Sequence, residues 1–166
     1  GQLVDGHGSD ALGLVVLGDA YLIDLLIIGL DRHRHIPDLA GWCEMAFESA
    51  EANPLYFAHD LYVGDESLSE VIIPDGVTHI HDWVFSGCTN LTTVRIPDSV
   101  TEIGALAFQC CTALKSIVIP DSVTAIGRGA FIQCTKLKTI ILSKNITEIS
   151  MMMFYGCKSL KSIVIP

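Results

Sequence analysis

Six cysteines are the first residues that could carry chemistry: Cys43, Cys88, Cys110, Cys111, Cys134 and Cys157. Four of them, Cys88, Cys111, Cys134 and Cys157, recur every 23 residues. Stacked thiols could hold a soft metal or form disulfides. Side chains repeated at one interval all point the same way, however, which suits tetrahedral ligation poorly. A ladder of small, weakly polar core groups is the simpler reading. No C-x-x-C is present, which excludes a zinc ribbon or a thioredoxin-type redox pair. Cys43 and Cys110 stand outside the column, and either would be reactive if exposed.

Histidines come next. His79-Ile80-His81 sets two imidazoles on one side of an extended segment, a spacing that can hold zinc, and His33-Arg34-His35 repeats it. The pairs are 46 residues apart, or two repeats, about 10 Å if each repeat advances by one strand spacing. That is too far to share one ion. Glu102, Ala125 and Glu148 take the place of His79 in later repeats, the mark of a freely varying surface position. Neither a metal nor another cofactor is expected.

Catalytic signatures are missing as well. There is no G-x-S-x-G, Walker loop, H-E-x-x-H or dinucleotide fingerprint. Asp75, Asp98 and Asp121 each follow a proline at one fixed place in the repeat, as turn residues rather than an acid dyad. Asn90-Leu91-Thr92 and Asn145-Ile146-Thr147 are glycosylation sequons, relevant only in a eukaryotic secretory pathway. The chain is expected not to be an enzyme.

What must position these residues is a repeat. "IPDSVTEIG" begins at Ile96 and "IPDSVTAIG" at Ile119, 23 residues later. Units start at Pro74, Pro97, Pro120 and Ser143, and Pro166 stands at the start of another. Apolar residues then align: Val77, Val100, Val123 and Ile146; Ile80, Ile103, Ile126 and Ile149; Phe85, Phe108, Phe131 and Phe154. Leu91, Leu114, Leu137 and Leu160 follow, then Val94, Ile117, Ile140 and Ile163, then Ile96, Ile119, Leu142 and Ile165. No charge interrupts a column. One such unit cannot bury its own apolar side, but stacked copies bury it for one another.

Within a unit, Leu91-x-x-Val94-x-Ile96 ends in the alternation of a strand. Pro followed by Asp-Gly or Asp-Ser supplies a turn. "VTEIG" reads as a second short extended piece, and "ALAFQCC" as one tight helical turn. Residues 51–73 read as a divergent unit, with Phe57, Tyr62, Leu68, Val71 and Ile73 in the columns of Ile80, Phe85, Leu91, Val94 and Ile96. "YLIDLLII" from Tyr21 lies two periods before "SLSEVIIP", with Leu22, Leu25 and Ile27 in register. Residues 36–66 fit poorly and read as a modified coil or insertion, and residues 1–20 as an N-terminal cap. The expectation is a solenoid of about seven coils.

The outward positions of the strands are the candidate binding residues. Thr93, Ser116, Thr139 and Ser162 form a hydroxyl column, flanked by Arg95, Val118, Ile141 and Val164 and by a row of Lys115, Lys138 and Lys161. Sheet propensity alone explains β-branched residues on an exposed strand. A contiguous aliphatic stripe also marks a partner surface, and the lysine row favours acidic proteins or glycans.

Composition narrows the class. Half of the 166 residues are hydrophobic and 17% charged, with a mean hydropathy of +0.47; aromatics are 7%, so the core must be aliphatic. Net charge is −9, which argues against nucleic acid as a partner. Through Val94 there are 15 acids against two arginines, whereas from Arg95 onward eight bases face four acids. Ala11–Leu30 is long and apolar, but Asp19 and Asp24 lie inside it, each costing about 2.5–3.5 kcal/mol at a bilayer centre. No membrane span is expected.

The unit "IPDSVTEIGALAFQCCTALKSIV" resembles the 23-residue leucine-rich repeat of the BspA-like family. "AGWCEMAFESAEANPLYFAHDLYVGDE" resembles a variant module often interleaved with such repeats. The likeness covers residues 36–166. It divides the chain into a divergent N-terminal segment or cap (1–35), a variant repeat module (36–73) and four regular leucine-rich repeats (74–166). It implies an α/β repeat fold, a right-handed leucine-rich-repeat β-solenoid that is β-rich with short helical turns. It also implies a place on bacterial, and some protist, surface proteins associated with adhesion to host matrix proteins or other cells. The expected function is therefore non-catalytic binding of protein or glycan, at the cell surface or outside the cell. The alternatives are a structural spacer presenting another domain and a non-catalytic fragment of a larger enzyme. Because Ile165-Pro166 falls between coils, either a larger parent protein or end-to-end self-association is a further expectation.

Overall fold

The computed structural model describes residues 14–17, 20–23, 33–36, 38–63 and 66–166. The chain forms two compact units, Gly1–Leu30 and Asp31–Pro166. In the first, β1 (Leu14–Leu17) and β2 (Ala20–Ile23) pair antiparallel, with Val16 opposite Tyr21. The start of "YLIDLLII" is thus a hairpin strand rather than a parallel rung; residues 24–28 lie outside the described residues, as do most of residues 1–20. Among the described residues, no helix is long and apolar enough to cross a membrane.

In the second unit, β3 (His33–Ile36) pairs parallel with β4 (Asp60–Val63), and β4 pairs antiparallel with β5 (Glu66–Ser67). Strand β3 crosses the expected 35/36 boundary because its partner β4 lies inside the module. Between β3 and β4 run two short helices, α1 (Leu39–Cys43) and α2 (Leu55–Ala58). Asp38 caps α1 by accepting the Gly41 N–H at 2.7 Å, which satisfies one of the free donors at a helix start. Residues 55–63 therefore depart from the repeat. Leu61 is buried and Tyr62 half-buried.

From Glu70 onward the 23-residue period governs. The first elements are β6 (Glu70–Ile72), β7 (His79–Ile80), β8 (Thr93–Arg95) and β9 (Glu102–Ile103). They are followed by β10 (Ser116–Val118), β11 (Ala125–Ile126), β12 (Thr139–Ile141) and β13 (Ser162–Val164). Five of these form one parallel sheet in the order β13-β12-β10-β8-β6. Its register sets Val71 beside Val94, Val94 beside Ile117, Ile117 beside Ile140 and Ile140 beside Ile163. The second extended piece gives another parallel sheet, β11-β9-β7. Five strands joined by four turns make the solenoid shorter than the seven coils expected, because the residues before β6 fold as the helical module and the hairpin.

"ALAFQCC" and its equivalents make tight turns but no continuous α-helix. Alternate N–H groups reach the next coil: Trp83, Phe85 and Gly87 donate to the carbonyls of Ala105, Ala107 and Gln109 at 3.1, 2.8 and 2.7 Å, and Leu106, Phe108 and Cys110 repeat the pattern 23 residues on, while Ser86 and Cys88 close tight turns on the carbonyls of Trp83 and Phe85 at 2.8 and 3.1 Å. Donors committed between coils cannot close an α-helix. Each coil bends here at two left-handed residues. One column is Trp83, Leu106, Gly129 and Met152, with φ of 58°, 58°, 62° and 60°; the other is Gly87, Cys110, Gln133 and Gly156, with φ of 82°, 58°, 60° and 77°. Inside, Phe85, Phe108, Phe131 and Phe154 stack with ring centroids 5.4, 5.5 and 6.0 Å apart.

The helical module closes the start of this stack. The Trp42 indole N–H donates to the Val84 carbonyl at 3.0 Å. The buried Asn53 amide donates to the carbonyls of Trp83 and Val84, while its oxygen accepts the Leu55 N–H at 2.8 Å. Gly87 lies so near α2 that an added Cβ would stand 2.9 Å from the Leu55 carbonyl oxygen.

Candidate binding face

Alternation along each strand sends Val94, Ile117 and Ile140 inward and their neighbours out. Thr93, Ser116 and Ser162 are exposed and Thr139 half-buried, so the expected hydroxyl column forms in register. Ser162 Oγ donates to Thr139 Oγ1 at 3.3 Å. Beside it, Arg95, Val118, Ile141 and Val164 stand exposed in a second column, Val118 at 56%. Lys115, Lys138 and Lys161 precede the strands, tied by Lys138 N–H to Lys115 carbonyl at 2.8 Å and Lys161 N–H to Lys138 carbonyl at 2.9 Å.

A shallow concavity of about 600 Å³ runs over this face. Thr93, Arg95, Ser116, Val118 and Ile141 line it, whereas Thr139, Ser162, Val164 and the three lysines lie outside its lining. Two acidic residues also line the concavity, Asp98 and Asp121. Their fixed place after each proline is legible in sequence, but only as a turn signal. Ile72, exposed at 64%, is aligned with Arg95, which stands between it and Val118.

The face is electrostatically divided. Asp121 binds Lys144 twice, through Nζ at 2.7 Å and the backbone N–H at 3.1 Å. The Lys144 side-chain hydrogen bond, then its backbone one, hold the Asp121 carboxyl below its ordinary value. Among the described residues, Arg95, Lys115, Lys138 and Lys161 take part in no ion pair. Three lysines thus stand at the opposite end of the strands from the aspartates, while Arg95 shares the concavity with them.

The other candidates resolve into packing. The Cys111, Cys134 and Cys157 thiols donate to the carbonyls of Phe85, Phe108 and Phe131 at 3.2, 3.1 and 3.1 Å. Each thiol is spent on the coil before it. Burial pushes Cys88 up to about 12, and Cys111 rises for the same reason. Cys43, proposed as reactive if exposed, is buried, and burial followed by Glu44 and Asp38 pushes it up to about 12. Cys110 is half-buried, its thiol raised by burial. The rings of His79 and His81 lie 6.2 Å apart, and His79 Nε2 stands 3.7 Å from Glu102 Oε2. Among the described residues, no group of three or more His, Cys, Asp or Glu side chains could hold a metal ion.

Stacked 23-residue coils, a parallel strand file and an aliphatic interior define a leucine-rich-repeat β-solenoid. Residues 57–166 match, in six copies, the family described as BspA type leucine rich repeat region; the chain belongs to this family. It is similar to a leucine-rich-repeat protein of T. pallidum, at 35% identity and TM-score 0.56 over 57% of this chain and 44% of that one. A protein of Bacteroides ovatus shares 40% identity at TM-score 0.53 over 55% and 24% of the two chains. One of Eubacterium ventriosum shares 32% at TM-score 0.58 over 63% and 28%. The chain therefore spans less than half the length of each. No curated protein matches it significantly.

Proposed function

We propose that the chain is a non-catalytic recognition module that binds a protein or glycan through the strand face, on a cell-surface or secreted protein. The observation that carries this reading is the exposed aliphatic positions Ile72, Val118, Ile141 and Val164 beside cations that take part in no ion pair among the described residues. An aliphatic stripe held in water without a partner is a standing cost that an interface would remove. Arg95, Lys115, Lys138 and Lys161 supply charge for acidic groups, and Thr93, Ser116, Thr139 and Ser162 supply hydroxyls that donate or accept. Membership of a repeat family built for interaction supports the reading, and the family's association with surface proteins supports the location.

A panel of matrix proteins and an array of glycans test it. A partner that binds the native chain is expected to lose at least about tenfold in affinity, or about 1.4 kcal/mol, to the Arg95→Ala/Lys115→Ala/Lys138→Ala variant. Unchanged binding would remove the strand face from the account. A chain that captures nothing on either panel would leave the spacer role.

A further inference from the structure

The strand face is not the only apolar surface. On the turn side of the last coil, Met151 is exposed at 67% and Tyr155 at 61%, with Met152 beside them. The column of Met151 carries Asp82, Ala105 and Arg128 in the preceding coils, none of them buried, whereas Tyr155 follows Ser86, which is buried, and Gln109 and Ile132, both half-buried. The Met151 position faces outward by repeat geometry, so inter-coil stacking does not account for a methionine there; Tyr155 adds apolar area because its coil has a neighbour on one side only. The Arg128 guanidinium reaches over Met152 Sδ at 3.6 Å, and Lys136 and Lys158 are exposed on the same two coils.

The charge around this patch is one-sided. Residues 122–166 contain six Lys or Arg and a single Glu. Residues 38–94 contain ten Asp or Glu and no Lys or Arg at all. The helical module that closes the other end of the solenoid exposes Glu44, Glu48 and Glu51. One molecule thus carries a cationic pole with methionine and tyrosine on it, and an anionic pole beyond the opposite end of the coil stack.

We propose that the Arg128–Met151–Met152–Tyr155 patch docks onto the anionic module of a second copy of this chain, head to tail. Charge complementarity selects this occupant, because the chain itself supplies the opposite pole. A contact between unlike surfaces is heterologous, so each copy keeps one free patch and one free module, and association is open-ended. Arg128, Lys136 and Lys158 steer the encounter, while the methionines adapt their shape to the surface they meet. The strand face takes no part, so this association and partner binding there stand or fall separately.

The test is sedimentation velocity on the full chain over a concentration series. At about 10 mM salt, where charges interact over about 30 Å, the mean mass is expected to climb with concentration and pass the dimer without a plateau. At about 1 M salt, where screening falls to about 3 Å, it is expected to return to the 18.0 kDa monomer. Arg128→Glu/Lys136→Glu/Lys158→Glu and Glu44→Lys/Glu48→Lys/Glu51→Lys are each expected to stay monomeric alone, with unchanged circular dichroism. Mixed, they are expected to associate again, which no folding defect would produce. A native chain that stays monomeric at low salt would overturn the proposal. So would a closed dimer, association indifferent to both reversals, or a monomer whose basic pole binds only vesicles of anionic phospholipid.

Discussion

The two ends of the solenoid use the same columns and reach different burial. In the first regular coil, Ile80 and Phe85 are buried, and the neighbouring carbonyls of Trp83 and Val84 are met by Asn53 and Trp42. In the last described coil, Phe154 is only half-buried and Ile163 is exposed. Ile149 is 51% exposed, where its column mate Ile103 is at 0%. Side-chain chemistry is nearly constant down each column. What differs is the number of neighbouring layers: a coil between two others hides its apolar side, and a coil with one neighbour hides about half. Burial in this fold belongs to the interface between coils more than to the coil itself.

Paired substitutions would break this comparison most sharply. Phe108→Ala, between two ring neighbours, is expected to cost about 3–5 kcal/mol in urea unfolding, and Phe154→Ala, with one ring neighbour and partial exposure, about 1 kcal/mol. Equal losses would mean that burial is set within a coil. Next in size is the response to alkali. Cys43 and Cys88 are raised from 9.0 to about 12 by burial, so the unfolded chain releases protons that the folded chain keeps. Their contribution is complete below about pH 8.5 and falls as pH rises towards 12, by up to about 1.4 kcal/mol per pH unit for each thiol. A stability curve flat from pH 8 to about pH 11 would contradict the buried ladder.

Smaller effects sharpen the contrast. Asn53→Ala leaves the Leu55 N–H short of a partner and takes one of two donors from each of the Trp83 and Val84 carbonyls, with an expected loss of about 2 kcal/mol by thermal or urea unfolding. No loss would show that the module does not seal the first coil. Gln133→Gly removes a side chain from a left-handed position, φ 60°, that glycine fills in the coils of Gly87 and Gly156. It is expected to gain about 0.5 kcal/mol.

The regular coils were legible in sequence because every column repeats a residue type at 23-residue spacing, enough to place the phenylalanine file, both sheets and the outward hydroxyl, aliphatic and lysine rows. Side-chain patterning could not reveal where backbone donors go. "ALAFQCC" suits a helical turn as well as a segment bonded to the next coil, and only the structure shows Phe108 donating to Ala130 rather than within its own turn. The closing module escaped for another reason. Trp42 and Asn53 act once each, without a period, and a buried asparagine carries no apolar signal. On the face, Asp98 and Asp121 were read through the turn they make, which hid their place at the edge of the concavity.

Native-state hydrogen exchange compares the layers most directly. Amides of β10, with a strand on either side, are expected to exchange only with global unfolding, and those of β13 at least about 100-fold faster, through local opening of the last coil. Equal protection of β10 and β13 would contradict the claim that each coil is held by its neighbours.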